Sequence, residues 1–163
     1  MRSTIAELQA FANATYGGRP ALLTPFTYNV DFDGIAAAGT EYQQLQIQAN
    51  ADFILTSLNC IFTNAAVGLA TTYPLKCLIT DNSSGEQFTN APLHIGTYLT
   101  DVGPNVPAVF SNVQSVGVEL PYPLFIQGRT SLTVMAQNLM TGTAVVDFAI
   151  QFNGVLSRKY SQV

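Results

Sequence analysis

The chain has 163 residues, a net charge of -4, and 48% hydrophobic but only 10% charged side chains. Its length allows one domain that buries about 70% of the surface its unfolded chain exposes, and its low charge and many β-branched residues argue against disorder. Six Lys and Arg without a cluster argue against a nucleic-acid backbone as ligand, which needs several cationic contacts.

Residues 1–18 stand apart from the rest. Thr4 followed by Glu7 has capping-box spacing. Ile5, Leu8, Phe11 and Ala12 recur at helical intervals, and Gly17-Gly18 supplies a stop. The pattern predicts a short amphipathic helix over 4–15. About a dozen residues are marginal as an isolated helix, so its stripe must pack on its own domain or on a neighbouring subunit.

RPALLTP (19–25) reads as a connector, and from Phe26 onward the period changes to two. Phe26, Tyr28, Val30 and Phe32 share one face of a strand. In EYQQLQIQA, Leu45, Ile47 and Ala49 are expected inside and the glutamines outside, as in an antiparallel sheet with one wet face. ADFILTSLNCIF (51–62) is apolar on both faces, which suits a central or covered strand. PLKCLITDNSSGEQF (74–88) reads as two strands around a polar turn.

A long aperiodic stretch follows NAPLHIGTYLT, over residues 101–115. SVGVELPYPLFI then carries Pro121 and Pro123, which cannot donate to a ladder and belong at an edge or corner. Gly128-Arg129 reads as a turn. Leu132, Val134 and Ala136, and then Val146, Phe148, Ile150 and Phe152, form the inward faces of the last two strands. About eight strands with frequent turns and one helix predict an all-β jelly-roll sandwich over 19–163, preceded by a helical arm over 1–18.

No segment carries a sharp catalytic motif. His94 is the single histidine and sits among apolar residues, so a structural role is preferred. With Cys60 and Cys77 it makes a poor zinc set. Both cysteines lie in apolar strands and read as free, buried thiols rather than a disulfide. Asp31 and Asp33 could seed a Ca²⁺ site, but a solvated strand end explains them better. Asp81–Glu86 lacks EF-hand spacing and reads as a hairpin turn. Tyr16, Tyr73, Tyr98, Tyr122 and Tyr160 are the candidates for a sugar platform, in a chain without Trp. No stretch approaches the 18 apolar residues of a membrane span, and no signal-peptide pattern is visible. The expectation is a protein folded in the cytosol, without enzymatic activity, cofactor, metal, membrane partner or direct nucleic-acid partner.

The order of segments has a parallel. "PFTY", then "ADFIL", then "ITDNSSGEQFTNAPLHI", then "LPYPLFIQGRTSLTVMAQN" and a last strand ending at Asn153-Gly154 span residues 24–158. This order resembles the small jelly-roll head proteins of tailed bacteriophages, several of which decorate or cement the capsid. The resemblance implies a virion component on the capsid exterior, made in the host cytoplasm. Its partners would be the major capsid protein and itself, as a homo-oligomer (dimer or trimer). The alternative is a receptor- or carbohydrate-binding module of a tail or fibre. Interface candidates are Ile5, Leu8 and Phe11 on the helix, and Tyr122 and Phe125 at the proline corner.

Overall fold

The computed structural model describes residues 4–62, 75–94, 118–142 and 145–159. Among these residues one helix, α1 (Ile5–Thr15), precedes eight strands: β1 (Ala21–Ile35), β2 (Thr40–Gln46), β3 (Asp52–Phe62), β4 (Leu75–Asp81), β5 (Leu93–His94), β6 (Val118–Ile126), β7 (Ser131–Asn138) and β8 (Val146–Lys159). Two four-stranded sheets run in the orders β1-β8-β3-β6 and β2-β7-β4-β5. The pairing is nested: first strand with last, second with seventh, third with sixth and fourth with fifth. A long antiparallel ribbon has thus been rolled up, and β3–β8 and β4–β7 close the roll. This is the jelly roll, with two Greek keys and two facing sheets.

The alternating runs explain which faces meet. Tyr28, Val30 and Phe32 of β1, Phe148, Ile150 and Phe152 of β8, and Phe53, Leu55 and Leu58 of β3 point from the first sheet into the core. Leu132, Val134 and Ala136 of β7 and Leu75, Cys77 and Ile79 of β4 meet them from the second. Phe32 and Phe148 stack with centroids 4.7 Å apart and planes 5° apart. Each such fully buried side chain contributes about 1.5–3 kcal/mol. Tyr28 is buried but keeps its polar tip satisfied, because its hydroxyl accepts from the Gln48 N–H at 3.0 Å.

α1 begins as its sequence dictates. The Glu7 N–H donates to Thr4 Oγ1 at 3.2 Å, and the Thr4 N–H donates to the Glu7 carboxylate at 2.7 Å. Glu7 is held below its ordinary carboxylate value by these contacts with Thr4, backbone first. The helix lies on the outer face of the first sheet. Leu8, Ala12 and Tyr16 cover Ile54, which points outward between the inward Phe53 and Leu55. Gln9 Nε2 donates to the Ala21 carbonyl at 2.8 Å, and the Ala21 N–H donates to Asn13 Oδ1 at 3.0 Å. The stripe therefore packs on the chain's own sandwich. β3 is central between β8 and β6, with its outer side covered at Ile54, as its two apolar faces require.

Some expectations need correction. Ala49 is exposed, because β2 ends at Gln46 and the chain turns after Ile47. The return strand after the polar turn shrinks to a single bridge, Thr80–Gln87. At Gly128-Arg129 it is Arg129 that has the left-handed conformation, with φ 71°. Gly128 is needed for a different reason: a Cβ there would stand 2.7 Å from the Ala51 carbonyl oxygen. The stretch 101–115 and Tyr73, Tyr98 and Tyr160 lie outside the described residues.

Candidate functional site

The proline corner is a bulge. Along β3, Leu55 pairs with Leu124 and Ser57 with Glu119. Four residues of β6, Leu120–Pro123, therefore stand opposite the single residue Thr56. Pro121 and Pro123 have no N–H to offer the ladder, so the chain leaves the sheet plane here. Thr56 is also extra relative to β8, where Leu55 pairs with Gly154 and Ser57 with Asn153. Its hydroxyl donates to the Asn153 carbonyl at 3.0 Å, which anchors the irregularity. At the apex, held between two rigid prolines, Tyr122 is 84% exposed.

Beside the bulge lies a groove of about 370 Å³. Leu120, Leu124, Phe125 and Ile126 of β6 form one wall, and Phe88 forms part of the other. Phe88 is fixed by its N–H donating to the Ile79 carbonyl at 3.0 Å. Asp81 at the end of β4, Glu86 and Gln87 beyond it, and Pro121 and Tyr122 of the bulge complete the lining. Asp81 Oδ1 accepts from the Ser83 N–H and the Ser83 hydroxyl, both at 2.7 Å. Partial burial opposes ionisation of Asp81, but the hydrogen bonds from Ser83 and Ser84 outweigh it and hold the carboxyl below its ordinary value. The groove is thus apolar and aromatic inside, with an acidic rim.

A polar cluster ties the end of β6 to the start of β3 and to the end of α1. The Gly128 N–H donates to Asp52 Oδ1 at 2.7 Å, just past the end of β6. The Tyr16 hydroxyl donates to Asp52 Oδ2 at 2.6 Å and lies 3.0 Å from the Ser157 carbonyl. Burial, then the hydrogen bond to Asp52, pushes the Tyr16 hydroxyl up to about 12. Tyr16 also meets Phe125 edge-on, with centroids 6.3 Å apart. Helix, sheet and proline corner thereby share one set of contacts.

The five interface candidates divide. Leu8 is buried under the helix, and Phe11 and Phe125 are half-buried in the same cluster. Ile5 is 82% exposed, and of the five candidates it and Tyr122 are the two left open to a partner by more than half. Asp31 and Asp33 are both exposed at the far end of β1, and Asp31 accepts from Asn29 Nδ2 at 2.7 Å. Among the described residues no three His, Cys, Asp or Glu converge on one point. Cys60 and Cys77 are free and buried; burial pushes Cys60 well above and Cys77 up to about 12. The backbone of His94, on β5, pairs with Lys76 of β4.

Asp81, Glu86 and Phe88 were legible only as a turn; nothing local marks them as a groove wall, because β6 reaches them through the roll. No family model, curated protein or solved structure matches this chain.

Proposed function

We propose that this protein is a virion structural component that decorates or cements a bacteriophage capsid, binding across capsid subunits as a homo-oligomer. The observation that carries it is Tyr122, held out by a double-proline bulge beside an apolar groove on a rigid sandwich. A tyrosine offers large contact area with a polar tip and little side-chain entropy to lose, the character of an interface anchor. Few charges on the chain suit a buried contact, whose centre is depleted of charge. Jelly rolls recur in capsid domains, but also in lectins and cupins, so the fold supports the reading by analogy. The mechanism is mass action: a protein that binds only the assembled shell stabilises that state.

The test is addition of purified protein to mature capsids, followed by heat or chelator challenge. Binding with raised resistance is expected. Absence from purified virions together with no capsid binding overturns the proposal.

One observation favours a second reading, a carbohydrate-binding receptor module. Tyr122, Asp81 and Glu86 line the same groove, so it offers an aromatic ring together with hydrogen-bond acceptors. Glycan-array binding abolished by Tyr122→Ala would establish it in place of the first.

A further inference from the structure

The first sheet ends in two unlike edges. At the β6 edge lies the groove, with the carboxylates of Asp81 and Glu86 on its rim and Tyr122 beside it. At the β1 edge, at the same end of the sandwich, Leu22 pairs across strands with Arg158, and Ala21 with Lys159. Arg19 lies two residues before that pair. Half of the chain's six Lys and Arg gather at this corner. Leu22 is 52% exposed there. Lys159 is partly engaged, its Nζ 5.5 Å from the centroid of Tyr16.

One edge is thus an apolar hollow rimmed with negative charge, and the other an apolar knob flanked by positive charge. They are three strand steps apart across the sheet, about 14 Å at ~4.8 Å per step. We propose that they bind each other between copies: the groove of one copy takes the Leu22–Arg158 corner of the next. Leu22 enters the hollow beside Tyr122, and the guanidinium groups of Arg158 and Arg19 face Glu86 and Asp81. This occupant is a second copy of the chain, and the inference rests on the homo-oligomeric part of the function proposed above. The two surfaces differ, so the contact is heterologous. Repetition closes a ring if the rotation allows and otherwise gives a filament. A groove of about 370 Å³ falls within the range of sites that hold small ligands, and therefore has room for inserted side chains.

Opposite charges across the contact make the test a charge exchange. Analytical ultracentrifugation over a concentration series would compare wild type with Glu86→Lys, Arg158→Glu and the double variant. Glu86 is the better target, because Asp81 also holds its own turn. Wild type should self-associate, more weakly as salt rises. Each single variant should raise the dissociation constant tenfold or more (about 1.4 kcal/mol), and the double variant should recover most of that loss. Mixing the two single variants should also restore association, because alternating copies again present opposite charges. Melting temperatures check that every variant folds; should Arg158→Glu melt early, Arg19→Glu takes its place. A monomeric wild type, singles that associate like wild type, or a folded double variant no better than the singles each overturn the pairing. Capsid binding that persists while these swaps leave assembly unchanged refutes the pairing alone. Assembly through this pair without capsid binding refutes the capsid role alone.

Discussion

Replacing Gly154 by Ala should destabilise this protein more than any other glycine substitution among the described residues. Gly154 lies in β8, opposite Leu55 on β3 and Phe26 on β1. A Cβ there would collide with the Ile54 carbonyl oxygen, and would stand 3.0 Å from the Ile54 carbonyl carbon and from Phe53 Cζ. The obstacle is backbone of a central strand, so no rotamer change relieves it. β3 and β8 must part beside the Thr56 bulge. Overpacking costs about 1–3 kcal/mol, and two stretched ladder bonds cost about 1–3 kcal/mol together. Against this, alanine restricts the unfolded chain and returns roughly 0.4–1 kcal/mol. The net is about 3 kcal/mol, or roughly 6–12 °C in Tm for a chain of this size. Urea and thermal unfolding followed by circular dichroism measure it. Gly142→Ala is the control. Its φ is +83° but nothing lies within 4 Å of the added atom, so only the left-handed conformation opposes it, at about 1–2 kcal/mol. A Gly154→Ala protein that melts within about 2 °C of wild type would refute the reasoning.

Other expectations concern the helix dock, the core and the corner. Ser157 Oγ is buried without a partner among the described residues, so Ser157→Ala should be neutral or raise stability by up to about 2 kcal/mol in urea unfolding; a clear loss would reveal a partner. Tyr16→Phe should cost about 1.5–3 kcal/mol, the value of a hydrogen bond to a charged group, and loosen α1 as read by hydrogen exchange at Leu8 and Ala12. Tyr16 keeps its proton in the native state up to about pH 12, against 10.0 as its ordinary value. The native state therefore binds the proton more tightly, so this contribution to stability is complete below pH 10 and fades as pH rises through 12; Tyr16→Phe should remove that part of the alkaline stability loss. Cys60 and Cys77 should resist thiol reagents in the native state and react on unfolding, since both are buried with raised thiol values; labelling of the native protein at the rate of the unfolded chain would contradict this burial. Tyr122→Ala should leave Tm within about 2 °C, because an exposed side chain away from the core changes little, while weakening assembly or capsid association in sedimentation.

Much of the fold was legible before any coordinates. Val146, Phe148, Ile150 and Phe152 alternate without a break, and all four are buried. Thr4, Glu7 and Gly17-Gly18 bounded the helix within a residue or so. The two apolar faces of β3 announced a covered strand, although not what covers it. The candidate site was half legible. Pro121 and Pro123 marked a corner, and Tyr122 was singled out on it. The groove was not, because its second wall is Phe88 and the Asp81–Glu86 turn, more than thirty residues upstream.

Although it missed that Ala21–Pro25, read as a connector, already pair with β8 as the start of β1, the sequence by itself determined where most of the strands run, which face of most goes inside, how α1 starts and stops, and where β6 must leave its ladder. These follow from side-chain period, capping atoms and a missing N–H, all local quantities. Only the tertiary structure decided the nested order of the strands, the docking of α1 on Ile54, the Asp52 cluster that ties β6, β3 and α1 together, and the groove that Tyr122 shares with Asp81 and Glu86. Those depend on which surfaces find each other across the roll, and no residue's own chemistry names its distant neighbour.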